Sequence, residues 1–493
     1  MWKFIEKQKK ILASETNALA KHWGGKLSVV LVYPNVYSVG MGNLAIHALY
    51  KILNDHPNVV CERAFLPDKN DMAESLRTNT PVLSIETQKP LSEFDCVAFS
   101  ISFQNDFLNI IPILSLCSIP HRSNNRGGDY PLLLAGGAAV TINPYPVSQI
   151  FDCLALGEGE EVFSEIVSVL CEETDKKQRL QLLSEINGLL VPSLTTGDVK
   201  KRFIKDLDKW RTETVVYSNN AEFGDMHLIE MSRGCPRKCR FCATPSLYSP
   251  FRVRSKKAIS QMLQDGEKFR NKIGLIGADL LSHKTLIDII EEIHEMGKTF
   301  SPSSLRVDGI DNKIASLLAK SGHKAVSLGI EGASISLRSS IGKDFSDDQI
   351  ISAVSILAEN KISFVRLYFM IGLPGETLAD IEGIVDLVLK IKTEMKKQKK
   401  MAISISVTIT PFVPKPDTFF CKEKFAEEGY LRKAIKILKR SLSDKKGISI
   451  HHDTILSSQT DYILSNRGTD LITFLENIYE TGSIRKEVSK FGL

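Results

Sequence analysis

Arg233-Gly234-Cys235-Pro236-Arg237-Lys238-Cys239-Arg240-Phe241-Cys242 decides how this chain is read. Three thiols fall within eight residues, directly after the apolar run His227–Met231. Thiolates hold iron–sulfur clusters, normally four to a 4Fe–4S cube. Three at this spacing can hold three irons and leave the fourth open to a substrate or cofactor. A structural zinc site or three unrelated buried thiols are the plain alternatives. Zinc sites usually show two separated ligand pairs, whereas the nearest other thiols, Cys171 and Cys421, stand singly.

Outward from this loop, strand and helix patterns alternate. After His227–Met231 come the strand candidates Ile273–Ile276, Ser304–Val307, Ala325–Ile330, Phe364–Ile371 and Ile403–Ile409. Six strands with helices between them suit a partial (β/α)6 TIM-type barrel, whose working face is the carboxyl end of its strands. The cysteine loop follows the first of them.

Upstream, Ser28–Tyr33, Phe94–Ser102, Pro131–Ala135 and Asp152–Leu156 are short apolar runs of the buried parallel-strand type. With helices at Asn43–Leu53 and Asn109–Cys117, they predict a Rossmann-like doubly wound parallel sheet. The fold class is therefore α/β. The expected division is an N-terminal helix over 1–24, a Rossmann domain over 25–172, a linker over 173–222, the barrel over 223–420 and a small helical C-terminal region over 421–493. Lys390–Lys400 carries six lysines and reads as a solvated helix end and loop.

Composition is that of an ordinary globular chain, 43% apolar and 25% charged, with a net charge of +5. No run of about 18 apolar residues is present, so no membrane span is expected. The first residues lack an apolar signal core and the thiols show no disulfide spacing, which points to the cytoplasm. No nucleic-acid-binding module is recognisable.

Further elements lie at the strand ends. They are Gly277-Ala278-Asp279, Arg306 with Asp308, Gly329-Ile330-Glu331-Gly332 with Ile341-Gly342-Lys343, and Gly372-Leu373-Pro374-Gly375-Glu376-Thr377. Together with Cys-x-x-x-Cys-x-aromatic-Cys, they resemble the radical S-adenosylmethionine (SAM) superfamily. The resemblance implies that Cys235, Cys239 and Cys242 hold a 4Fe–4S cluster whose open iron binds the methionine part of SAM, with Phe241 and Arg306 among the cofactor-binding positions. It implies that Gly277, Ala278 and Asp279 meet the methionine ammonium, a charge matched by a carboxylate. Glu331 would accept from the ribose, Lys343 would pair with the methionine carboxylate, and Gly372 and Gly375 would form the adenine-binding turn. A tight turn at residues 277–279, a structural Arg306–Asp308 ion pair and surface roles for Arg338 and Lys343 are the alternatives from the residues alone.

The upstream half resembles the cobalamin-binding domains that precede some radical SAM barrels. Its loop after the first strand reads Asn35-Val36-Tyr37-Ser38-Val39-Gly40 where that family has Asp-x-His-x-x-Gly. Gly40 is kept, but Tyr37 stands for the cobalt-ligating His, and a neutral phenol is a poor cobalt ligand. Ser100 matches the family's serine turn, and Gly136-Gly137 the place where the cobalamin tail approaches the backbone. The same residues also suit the packing of a domain that has lost its cofactor.

The resemblance implies a radical SAM enzyme that generates a 5′-deoxyadenosyl radical. It would transfer a methyl group to an unactivated carbon using cobalamin, with a flavodoxin or ferredoxin as electron donor. One alternative keeps the radical enzyme for rearrangement, dehydrogenation or cyclisation, with a cofactor-free Rossmann domain as substrate platform. A remote one is a non-catalytic iron–sulfur redox sensor. The substrate is not legible.

Overall fold

The computed structural model describes residues 2–397 and 403–492. It is a mixed α/β protein with parallel sheets. Two compact units are present. The first runs to Ile229 and takes in Lys268–Arg270 and Leu464–Glu487; the second comprises Glu230–Glu267, Asn271–Ile463 and the residues from Val488 on. Gln398–Lys400 of the lysine-rich segment lie outside the described residues.

In the first unit, helix α1 (Trp2–Ser14) precedes β1 (Leu27–Tyr33), β2 (Val59–Phe65), β3 (Cys96–Ser100), β4 (Leu132–Gly136), β5 (Cys153–Ala155) and β6 (Leu189–Leu190). Every residue of β1, β2 and β3 is buried; β1 and β3 accordingly read as near-continuous apolar runs, whereas β2 buries the charged pair Glu62 and Arg63 and has no such signal. The order is β2-β1-β3-β4-β5-β6, parallel except for β6. The helix Leu44–Asp55 starts where the Asn43 side chain accepts the Ala45 N–H, and it buries Ile46, Tyr50 and Leu53.

α1 stops at Ser14, short of the expected residue 24. Beyond it Thr16 bridges to Tyr217, and Asn17 takes a left-handed φ of 67° that ends any helix. The stretch expected as a linker is ordered on this unit. It supplies the helix Lys176–Ser184 and β6, and Arg202 bridges to Gly157.

The chain leaves the first unit within β7 (Met226–Glu230). The two-residue strands β8 (Ser232–Arg233) and β9 (Arg252–Val253) then pair antiparallel, so the cysteine loop is closed at its base. Next come β10 (Lys272–Ile276), β11 (Thr299–Pro302), β12 (Ala325–Glu331), β13 (Phe364–Ile371), β14 (Ser404–Pro411) and β15 (Ile448–His452). β10 and β11 pair in parallel, as do β12, β13, β14 and β15 in that order.

Two expectations are corrected. The third strand is Thr299–Pro302, not Ser304–Val307: its hydroxyl-rich sequence hides an alternation in which only Phe300 is fully buried. Leu305 keeps one bridge, to Leu328, before the chain turns at Val307–Gly309. The C-terminal region is not simply helical. β15 adds an edge strand with only Ile448 buried, and the helix Leu471–Thr481 packs in the first unit, where Glu476 pairs with Arg122 at 2.6 Å.

Candidate active site

The site is built on the cysteine loop of the second unit. Glu230 ends β7 with its side chain 15% exposed, and two guanidinium groups clasp it. Arg233 donates from Nε and Nη2 at 3.0 and 2.9 Å, and Arg254 donates from Nη2 at 2.6 Å. Burial alone would raise the Glu230 carboxyl, but Arg233 and Arg254 override it and hold the group below its ordinary value. This clasp joins the two ends of the segment that carries the thiols. Gly234 follows at φ 81°, where a Cβ would lie 2.4 Å from the Tyr248 carbonyl oxygen, so only glycine fits the turn.

Cys235, Cys239 and Cys242 are free and half-buried. Burial raises the Cys239 thiol, while Lys343 and Arg306 pull it the other way. Burial likewise raises Cys235, with Asp279 and the other two thiols adding to the shift. Among the described residues no group of three or more His, Cys, Asp or Glu side chains is arranged to hold a metal ion. A single ion draws its ligands to about 2.3 Å; an iron–sulfur cube takes each thiolate on a different iron, so its ligands stay apart. Three half-buried thiols, with Arg306 and Lys343 beside Cys239, form a donor set of the kind an iron–sulfur cluster takes.

The sequence-selected residues converge on this loop. Arg306 Nη1 points at Cys239 Sγ at 3.9 Å and grips Asp308 through Nε and Nη2, both at 2.9 Å. Asp279 is engaged by Arg237 of the loop at 2.7 Å and by Ser282 Oγ at 2.6 Å. Lys343 Nζ donates to the Gly329 carbonyl at 2.8 Å and to Glu331 Oε1 at 2.9 Å, and lies 5.9 Å from the Phe241 ring centroid. Glu331 has φ 68°, at a register shift between β12 and β13. Such backbone is held only where its surroundings enforce it. Phe241 packs against Leu337, Ile341, Leu373, Phe412 and Phe420. The Arg240 N–H donates to the Ile341 carbonyl at 3.0 Å, and Cys239 Sγ lies 3.8 Å from the Gly342 carbonyl.

At the turn after β13, Gly372 N–H donates to Glu376 Oε1 at 2.6 Å and Tyr430 Oη donates to the same oxygen at 2.8 Å. Burial pushes the Glu376 carboxyl up to about 7. Gly375 has φ 80° and open space around it. Gly277 is hemmed in by Ser232 Oγ, 2.8 Å from where its Cβ would lie, and the neighbouring Ala278 leads into Asp279. Sequence reasoning missed Glu230, Arg254, Arg237 and Glu376 as partners. Only Glu376 had a local signal, the Pro-Gly-Glu turn.

The first unit holds the other candidates. Tyr37 Oη donates to Glu15 Oε1 at 2.5 Å, and Glu15 pairs with Arg63 at 2.7 Å. Burial first, and then Glu15, push the Tyr37 phenol far above its ordinary value. Tyr37 is thus a protonated member of a buried charge network. A Cβ at Gly40 would lie 2.4 Å from the Phe65 ring. Ser100 pairs in register with Gly136, and at Gly137, φ 108°, a Cβ would lie 2.4 Å from the Ile101 oxygen. The close approach at Gly136-Gly137 is to the chain's own backbone.

The family model described as radical SAM superfamily matches residues 229–388, and that for radical SAM proteins, N-terminal, matches 45–192. The chain belongs to the radical SAM superfamily. It is a radical SAM enzyme, and that membership implies the 4Fe–4S cluster and SAM that its loop fits. An uncharacterized protein of Methanocaldococcus jannaschii is 27% identical over 91% of this chain and 90% of its own length. An uncharacterized methyltransferase of Pyrococcus horikoshii is 26% identical over 52% of the chain and 58% of its own length. Among solved structures, the radical SAM methyltransferase TsrM from Kitasatospora setae superposes with a TM-score of 0.54 at 16% identity, covering 80% of this chain and 75% of that one. The cobalamin-dependent radical SAM enzyme OxsB does so with a TM-score of 0.54 at 17% identity, over 92% and 62%. At these identities the likeness is one of fold. No helix among the described residues is long and apolar enough to cross a membrane.

Proposed function

We propose that this radical SAM enzyme is a cobalamin-dependent methyltransferase acting on an unactivated carbon, with a Rossmann-like corrinoid platform followed by a partial (β/α) barrel. The observation that carries the proposal is the fold likeness to TsrM and OxsB over 80% and 92% of the chain, which takes in both the parallel sheet upstream and the cysteine-bearing unit. TsrM was solved with cobalamin and a [4Fe-4S] cluster, and OxsB with cobalamin and SAM.

When bound, the cluster supplies the electron that cleaves SAM to a 5′-deoxyadenosyl radical, and cobalamin supplies a methyl carrier. Cys235, Cys239 and Cys242 would hold three of the cluster's irons. Arg306 offsets the charge of the Cys239 thiolate. Lys343, bonded here to Glu331, would pair with the SAM carboxylate, and Glu331 would accept from the ribose. Asp279, held here by Arg237, would accept from the SAM ammonium. A flavodoxin or ferredoxin in the cytoplasm delivers the electron. Tyr37 is committed to Glu15 and so would not be free to serve as a ligand to a corrinoid. The same commitment, with Ile101 packed on Gly137, favours a second reading: a corrinoid-free platform serving another radical reaction.

The test is anaerobic reconstitution with iron, sulfide and hydroxocobalamin, then desalting, an absorbance spectrum and a 5′-deoxyadenosine assay after reduction with SAM. Cleavage with one retained corrinoid supports the methyltransferase, and cleavage without it supports the second reading. Replacing all three cysteines by alanine abolishes cleavage; cleavage that survives refutes the site.

A further inference from the structure

Strand order in the first unit reverses at β1, which has β2 on one side and β3 on the other. In open parallel sheets, ligands sit beyond the carboxyl ends of the strands at such a reversal. Tyr33 ends β1 and Asp106 follows β3; they are 0% and 5% exposed. Asn35 Oδ1 accepts the Val36 N–H at 2.8 Å, so its Nδ2 faces Asp106 and donates to Oδ1 at 2.9 Å. Nearby, Asn43 Nδ2 donates to Ser102 Oγ at 2.9 Å. Asp106 Oδ2 is buried without a hydrogen-bond partner, and Tyr33 Oη, which makes no bond of full geometry, is buried beside Ser102, Asn43 and Asp106. Folded proteins leave few such atoms, because each forfeits its hydration. Burial brings the Asp106 carboxyl up to about 6, so it is mostly ionised at pH 7.5 and wants a donor.

We infer that Asp106 Oδ2 and Tyr33 Oη read a primary carboxamide of the ligand seated at this strand reversal, Asp106 accepting its N–H and Tyr33 donating to its carbonyl. This rests on the corrinoid reading above, since the rim of a corrin carries primary carboxamides. The pair discriminates against carboxylates, which would meet the Asp106 charge.

Asp106→Asn inverts this preference. Asn35 presents its amide nitrogen, so an asparagine at 106 must turn its own oxygen toward Asn35 and its NH2 toward the ligand. The experiment measures binding of dicyanocobinamide, which has amide side chains, and of cobyrinic acid, which has carboxyls instead, to the full chain at pH 7.5. Neither probe carries the nucleotide tail. The wild type prefers cobinamide, and Asp106→Asn moves the ratio of affinities toward cobyrinic acid by about 10- to 100-fold, the range for hydrogen bonds to charged groups. Tyr33→Phe weakens cobinamide several-fold with the order unchanged. An unchanged ratio in a folded Asp106→Asn protein overturns the inference and leaves the corrinoid reading standing, the two atoms then holding only water. Binding of neither probe by the wild type overturns both.

Discussion

Replacing Glu230 by Gln tests whether the clasp at the base of the cysteine loop is what shapes it. The carboxylate takes three charged hydrogen bonds, at 3.0, 2.9 and 2.6 Å, from two guanidinium groups whose side chains are 9% and 0% exposed. An amide keeps the volume but offers one acceptor and no charge, and its NH2 faces a donor. Breaking a buried pair by removing one partner costs about 3–5 kcal/mol. We expect the second unit to lose about that much stability in urea unfolding, and the reconstituted protein to retain less iron.

The pH dependence supplies the sign. The folded carboxyl sits below the ordinary 4.5. The clasp therefore contributes fully above about 4.5 and is lost as pH falls through the lower folded value. The gap between wild type and Glu230→Gln should be wide at pH 7 and narrow toward pH 3. A gap that stays constant with pH, or a variant as stable and iron-loaded as wild type, refutes the reasoning.

Two further outcomes follow from the same geometry. Glu376 titrates near 7 instead of 4.5 because it is buried, so the favourable neutral form is present below 4.5 and is lost as pH rises through about 7. Glu376→Gln should match wild type in unfolding free energy at acid pH and exceed it above pH 8, by up to about 3 kcal/mol; parallel curves would rule this out. Gly342→Ala adds a Cβ 2.8 Å from the Lys238 oxygen at φ 78° and should lower iron retention, whereas Gly375→Ala, equally left-handed but with open space, should retain iron. Equal iron content in the two variants counts against the Gly342 contact as a brace for the loop.

The elements most legible from sequence were those whose signal is local. Three thiols in eight residues announce themselves, and a strand buried on every residue, such as Leu27–Tyr33, shows as an apolar run interrupted only by Ser28. What was not legible depends on pairing across distance. Nothing near Asp279 points to Arg237, 42 positions earlier, and nothing in Ile448–His452 marks an edge strand, because one face of it is exposed. Lys343 and Glu331 were assigned separate ligand contacts from their motifs; in the fold they hold each other. Tyr37 was legible as a poor cobalt ligand, but the reason it is fixed, Glu15, lies in a segment expected to be helix.

The first unit is assembled from segments far apart in the chain, and that constrains its biosynthesis. Ser115, Arg122 and Asn143 find Tyr479, Glu476 and the carbonyls of Leu464 and Arg467 only after more than 300 further residues have been made. Nascent chains generally fold domain by domain from the N-terminus. Here the ribosome must release those further residues before the early sheet receives the helix Leu471–Thr481. A fragment cut at residue 229 would therefore display this unfinished face to solvent, and the two units are poor candidates for expression as separate halves.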